Sequence, residues 1–184
     1  MEKLTFDSGS VVNGMQYDRA SRIDYDNWAV FGNRQDWSWD DLYHYFRKST
    51  TFTPPPPAVI EEFGVTYSEE AYGDGPLQVS GPSFLYPDLQ TTWGAWKTQG
   101  LSLQRSGDVG DAVGLFWTQS SKDPKTGRRS HARNAYYDPV SARPNLHLLT
   151  GQTAKEILFN GQQAQCVRTV SRACLLYTSD AADE

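Results

Sequence analysis

Gly9-Ser10-Val11-Val12-Asn13-Gly14-Met15-Gln16-Tyr17-Asp18-Arg19-Ala20-Ser21 is the stretch from which the rest of the chain is read. Two glycines bracket a run of small and β-branched residues. Glycine has no Cβ, so backbone N–H groups there approach a ligand closely. Asn13 places a side-chain donor and acceptor at the same spot. By themselves these residues also fit a tight turn, with Asn13 closing an Asx turn. Downstream of them, Asp24-Tyr25-Asp26-Asn27-Trp28 opens an acid-rich helix start.

Ser21 is placed to cap a helix over residues 21–31 that carries Ile23, Trp28, Ala29, Val30 and Phe31. Its early acids suit the positive end of the helix dipole, and Gly32-Asn33 stops it. Asp24 and Asp26 stand two apart and do not share a helix face, so they read as dipole partners rather than a catalytic carboxylate pair. Ser38 followed by Asp41 is a variant of the capping box. Leu42, Tyr45 and Phe46 then follow at helical spacing, with Arg47 and Lys48 at the negative end. Trp37 and Trp39 are expected to pack around this helix entry. The four prolines at 54–57 favour extended polyproline II and mark a boundary or surface crossing.

Residues 72–76 predict a turn, with Leu77 and Val79 in a short strand after it. Residues 82–99 predict a helix carrying Leu85, Leu89, Trp93 and Trp96, ended by Gly100. Residues 101–128 are glycine-rich and loop-like, closing in a turn at 122–127. Ser130 is placed to cap a helix to Tyr137, where Asp138-Pro139 disturbs it. The end reads as β. Leu146–Thr150 is strand-like, and Glu156–Phe159 with Gln162–Val170 forms a hairpin through an Asn160-Gly161 type I′ turn.

At 184 residues the chain is long enough for one domain with its own core. Hydrophobic content is 38% and aromatic content 13%, so much of any core is aromatic. A formal charge of −5 argues against nucleic acid or an anionic membrane as partner. No apolar run approaches the roughly 20 residues of a membrane span. Met1–Phe6 has no apolar segment of the kind a secretion signal needs, and localisation stays open. The cysteines, Cys166 and Cys174, make neither a disulfide framework nor a zinc site, and no metal site is expected. Cys166 is expected on a strand as a small hydrophobe. Cys174–Glu184 back-translates to a transposon-end adapter used in sequencing libraries, so the chain is expected to be a truncated translation that leaves the genuine reading frame near Ala173.

Five segments in a fixed order carry a family resemblance. The first is Gly9–Met15 with its Asp24-Tyr25-Asp26-x-Trp28 sequel. The second runs from Gly32-Asn33 through Trp37-x-Trp39-Asp40 and Tyr45-Phe46-x-Lys48-Ser49 to Phe52-Thr53-Pro54-Pro55. The third is Gly73, then Gly75-Pro76-Leu77-x-Val79-Ser80, allowing a one-residue gap. The fourth is Asp123-Pro124-x-Thr126-Gly127-x-Arg129-Ser130 with Ala135–Pro139. The fifth is Arg143–Gly151, before the hairpin. Together they resemble the glucose-methanol-choline (GMC) oxidoreductases of the fungal type over most of residues 9–172. Asp7 and Ser8 stand where family members carry further glycines, Ala20 replaces a common glycine, and Cys166 replaces another.

The resemblance implies an FAD-dependent oxidoreductase acting on the CH–OH group of a small-molecule alcohol. It implies an α/β (mixed α+β) fold, of which this chain is a fragment. The dinucleotide-binding βαβ unit with its Gly-x-Gly-x-x-Gly fingerprint is expected upstream. The catalytic region is expected beyond residue 173, so no catalytic residue is assigned here. Cofactor contact is implied for Gly9, Ser10, Asn13, Gly14 and Gln16, on the isoalloxazine and pyrophosphate side, and for the backbone of Ala154 beside the adenine. Residues 1–52 resemble a cofactor-covering segment, 53–135 intervening and substrate-domain material, and 136–173 a return to the FAD domain. None of His44, His131 or His147 matches a family catalytic position, and each reads as a structural or solvated residue. The competing class is a non-catalytic, aromatic-rich carbohydrate-binding domain, suggested by the six tryptophans.

Overall fold

The computed structural model describes residues 8–32 and 34–172. Asp7, the helix-stop residue Asn33 and the adapter reading of Cys174–Glu184 lie outside the described residues. Two compact units divide between Pro139 and Val140.

The first unit opens with a four-residue helix, α1 (Ser8–Val11), and a short strand, β1 (Gln16–Tyr17). Helix α2 (Arg22–Gly32) follows. Its start is a reciprocal cap, in which Ser21 donates from its backbone N–H (3.0 Å) and its hydroxyl (2.7 Å) to the Asp24 carboxylate. Helix α3 (Trp39–Ser49) begins as the capping-box reading expects, with Ser38 Oγ accepting from the Asp41 N–H. A second donor in that first turn, the Trp39 N–H, is met by Asp26 Oδ1 at 3.0 Å. Thus Asp26 acts as a tether from α2 onto α3, satisfying an orphan donor at the positive helix end.

Strand β2 (Thr50–Thr53) leaves α3 directly, and β3 (Leu77–Ser80) pairs with it in parallel, Thr50 opposite Leu77 through Thr53 opposite Ser80. Parallel neighbours need a long crossover. Residues 54–76 supply it and contain α4 (Pro57–Phe63), a helix the polyproline reading missed. Pro57 stands at the first helical position, where its absent N–H costs nothing, and Gly64 closes the helix at φ +64. Strand β4 (Gln119–Ser120) joins antiparallel to both β3 and β1, giving the sheet order β1-β4-β3-β2.

Gly73 and Gly75 have a different reason from the turn the sequence suggests. A Cβ on Gly73 would lie 2.6 Å from the Arg47 carbonyl oxygen, and one on Gly75 would lie 2.1 Å from the Ser49 carbonyl carbon. The crossover presses backbone against backbone at the end of α3, and only glycine permits it.

Helix α5 is shorter than expected, Leu89–Thr98 instead of 82–99. Pro82 and Pro87 break the start, because a proline removes a donor and holds its predecessor out of the helical region. Leu85 still packs beside Leu89, against Val65, Trp93, Leu115 and Trp117. The Trp93 and Trp117 rings stack at 4.2 Å. A second cluster joins Ala71, Tyr72 and Val79 to Tyr17, Phe52 and Val109. A third surrounds Trp39, whose ring stacks on Tyr43 (5.2 Å) and touches Tyr25 and Phe46. The outward stripe of α2 is apolar as well, with Ile23, Val30 and Phe31 at 65%, 75% and 86% exposure.

Ser130 does not cap a helix. It is buried, and its Oγ accepts from the Gln78 N–H of β3 at 2.9 Å. The segment after it is one π-helical turn, Arg133–Tyr137, in place of the predicted α-helix. There the local cap is Asn134, whose Oδ1 accepts from the His131 N–H.

The second unit is a hairpin of β5 (Gln152–Asn160) and β6 (Gln163–Ser171) preceded by irregular chain. Leu146–Thr150 is irregular rather than a strand. The hairpin exists as expected, but its two loop residues are Gly161 and Gln162, because Asn160 pairs with Gln163. Gly161 has φ +60 while Gln162 has no positive φ, which is the pattern of a type II′ turn rather than I′. Cys166 is an exposed free thiol opposite Leu158, not a packed hydrophobe.

Candidate functional site

The Gly9–Gln16 segment is fastened to residues 120–132 along its length. Ser10 Oγ accepts from the Ala132 N–H (3.3 Å), and the Ser121 N–H donates to the Met15 carbonyl (2.7 Å). Gln16 pairs with Ser120 on the sheet edge. Asn13 is the hub. Its Nδ2 donates to the Gly9 carbonyl at 3.0 Å, and its Oδ1 accepts from the Met15 N–H at 2.7 Å, so the Asx turn is present. Arg129 donates through both Nη atoms, to Asn13 Oδ1 and to the Asn13 carbonyl.

The strained residue here is Met15, not a glycine. Its φ of +63 is the one positive value on a non-glycine residue among the described residues. A side chain in that region costs about 1–2 kcal/mol. Two backbone hydrogen bonds, from Met15 N–H and to Met15 O, hold it. Gly9 and Gly14 are exposed, neither has positive φ, and a Cβ on either would meet nothing within 4 Å. Nothing in the described chain requires glycine at either position. Ala154 lies in the second unit, exposed on β5 opposite Thr169, beside an irregularity in the ladder.

A buried polar knot stands behind this segment, and no sequence signal pointed to it. Arg19 is buried beneath Tyr17, Tyr43, Phe46 and Tyr72, its guanidinium 5.3–5.9 Å from their ring centres. It donates to the Asp108 backbone carbonyl at 2.8 Å and to the Tyr17 hydroxyl. The Asp108 carboxylate, in a residue 3% exposed, accepts from the Tyr72 hydroxyl. Burial raises the Asp108 pKa, opposed by the Tyr72 hydrogen bond and the Arg19 charge. Burial and the Asp108 charge push the Tyr72 hydroxyl up as well.

The sign for stability follows from the raised Asp108 value. Below the unfolded carboxylate pKa, about 3.9, the group is protonated in both states and its contribution is fully present. That contribution is lost as pH rises through the folded value. The unfolding free energy of the native protein relative to an Asp108→Asn variant is therefore expected to fall as pH rises above the unfolded carboxylate value. Urea titrations at several pH values measure the difference, and a rise instead would contradict the burial argument.

Neither His44 nor His147 is among the partners of this knot. His44 is exposed on α3 against the edge of Tyr45, and His147 lies in irregular exposed chain. Among the described residues, no group of three or more His, Cys, Asp or Glu is placed to hold a metal ion. None of the described helices is long and apolar enough to cross a membrane. Trp39, Trp93 and Trp117 are core residues, which removes half of the tryptophans that suggested a carbohydrate binder.

A family model described as GMC oxidoreductase matches residues 5–175. The chain belongs to the GMC oxidoreductase family. A dehydrogenase, xptC, of Emericella nidulans is 35% identical over 178 residues, covering 96% of this chain and 28% of that protein. An FAD-dependent oxidoreductase from Chaetomium thermophilum superposes with a TM-score of 0.82 at 38% identity, over 90% of this chain and 28% of that one. A fungal aryl-alcohol oxidase superposes at 0.81 with 35% identity, over 90% of this chain and 29% of its own. The mixed α/β fold of the described residues is thus the GMC fold over a segment spanning about 28% of those relatives.

Proposed function

We propose that this chain is the cofactor-facing segment of an FAD-dependent enzyme that oxidises the CH–OH group of a small alcohol. The observation that carries the reading is the Gly9–Met15 segment of a GMC oxidoreductase chain. Its glycines answer to no neighbour of their own, while its Asn and Met are held rigidly from behind. Side-chain-free backbone facing outward on a fixed support is what a flat ring system needs for close approach. The residues present therefore fit a flavin. Gly9, Ser10, Asn13, Gly14 and Gln16 would hold its ring and pyrophosphate side, and the backbone at Ala154 its adenine side. Asn13 keeps one Nδ2 hydrogen uncommitted among the described residues, available to a polar ring atom.

When bound, the flavin supplies the hydride acceptor for the alcohol carbon. This chain's part is to bind and orient. Asn13 and Met15 fix the backbone, and the Arg19–Tyr17–Tyr72–Asp108 knot keeps the strand behind it immobile. Within the larger enzyme, residues 1–52 serve as cofactor cover, 53–135 as intervening and substrate-domain material, and 136–173 as part of the FAD domain. Likeness to an aryl-alcohol oxidase favours an aryl alcohol as donor.

The full-length protein, expressed with ample riboflavin, is expected to purify yellow. Its flavin bands should bleach anaerobically on addition of an aryl alcohol. A colourless product that takes up no FAD would sink the proposal.

A further inference from the structure

We propose that Arg129 is a positioning residue for the flavin, acting through Asn13 on the Gly9–Met15 backbone. The inference rests on the cofactor reading above and adds a residue to it. Arg129 is delivered by a rigid turn. Asp123 N–H donates to the Arg128 carbonyl (2.9 Å), Gly127 N–H to the Asp123 carbonyl (2.8 Å), and the Asp123 carboxylate accepts from Lys125 N–H and Thr126 Oγ1 at 2.9 Å each. Lys122 and Arg129 face each other across an antiparallel bridge, and Asn134 Nδ2 donates to the Arg129 carbonyl at 3.0 Å. Both ends of the residue's backbone are therefore fixed before its side chain reaches across.

That side chain makes an unusual choice of partner. Among the described residues no carboxylate lies within ion-pair distance of its guanidinium. Both of its Nη groups go instead to one neutral residue, to Asn13 Oδ1 and the Asn13 carbonyl, 116 positions away in sequence. A planar fork with two parallel donors fixes the position and the rotation of the amide together, which a lysine ammonium does not. The same Oδ1 accepts from Met15 N–H, the residue at φ +63. Arg129 thus polarises and aims the acceptor that holds the strained residue, and through Asn13 Nδ2 the chain of contacts runs back to the Gly9 carbonyl. A single fork sets both ends of the segment proposed to face the flavin.

The test uses the full-length protein with Arg129→Met and Arg129→Lys, and Arg129→Gln should the methionine variant not give soluble protein. Two readouts are taken: FAD retained after extensive dialysis, by absorbance, and amide hydrogen exchange over residues 13–16 in FAD-stripped protein. Loss of the two-pronged contact from a charged group predicts FAD retention weaker by about 10–100-fold in every variant, lysine included. It also predicts faster exchange at Met15 with little change in melting temperature. Lysine that restores wild-type retention would overturn the proposal, since charge alone would then suffice. Unchanged exchange at Met15 would overturn it too. A wild-type protein that binds no FAD fails the cofactor reading itself, and is told apart by the colour of the unmutated protein.

Discussion

Gly75→Ala is expected to leave little or no folded protein. The new Cβ would stand 2.1 Å from the Ser49 carbonyl carbon, 2.3 Å from the Thr50 nitrogen and 2.4 Å from the Lys48 carbonyl oxygen. All three are main-chain atoms, so no side chain can swing aside. Relief requires the junction of α3 and β2 to move away from the crossover. That movement would break the Gly75 N–H bond to the Thr50 carbonyl (3.1 Å) and the Thr51 Oγ1 bond to the Gly75 carbonyl (2.6 Å). It would also disturb the parallel ladder that begins at Thr50 and Leu77. The cost should reach or pass the upper end of the overpacking range, about 3 kcal/mol. The yield of soluble full-length protein measures it, with the thermal midpoint of whatever folds lowered relative to the unmutated protein. Gly94→Ala is the control. Gly94 lies inside α5 and a Cβ there meets nothing within 4 Å, so the same substitution should stabilise by about 0.5–1 kcal/mol. Equal effects at the two positions would show that the close approach at Gly75 is not what matters.

Trp39→Ala should be the most damaging large-to-small change. Trp39 is 1% exposed and packs on Tyr25, Tyr43 and Phe46. It also lies against Gly110, where an added Cβ would come within 2.8 Å of the indole. Arg22 caps the ring at 5.7 Å, and its own N–H donates to the Gly110 carbonyl. Removing the indole therefore loosens α2, α3 and the 107–110 turn together, with little prospect of collapse around the void. An expected loss of about 3–5 kcal/mol follows, read from urea denaturation midpoints. A loss below about 1 kcal/mol would mean that the ring cluster contributes far less than its burial indicates. Trp39→Phe keeps part of the stacking and should cost less.

Local signals account for the elements that were legible in the sequence. Ser38 and Asp41 mark the start of α3 in full, and Ser21 with Asp24 does the same for α2. The hairpin announced itself through its glycine, yet the register shifted the loop by one residue, because strand pairing across many residues outweighs a dipeptide preference. Helix α4 was hidden behind four prolines, the last of which starts it. The candidate segment itself was visible as Gly9–Met15, and the placement of the conformational strain on Met15 was not. Long-range partners were invisible altogether. Arg19 with Asp108, and Arg129 with Asn13, meet across 89 and 116 positions, and no spacing rule encodes such a meeting. Asp26 was assigned to the dipole of its own helix and proves to serve the next one.

The apolar stripe on α2 has a practical consequence. With Tyr25 and Ala29 turned inward, Ile23, Val30 and Phe31 stand exposed on this helix among the polar Arg22, Asp24 and Asn27. Such a surface in water is sticky. Anyone who produces these 184 residues alone should expect inclusion bodies, or column elution as soluble aggregates that mild detergent disperses. A screen begun from the whole open reading frame avoids that loss.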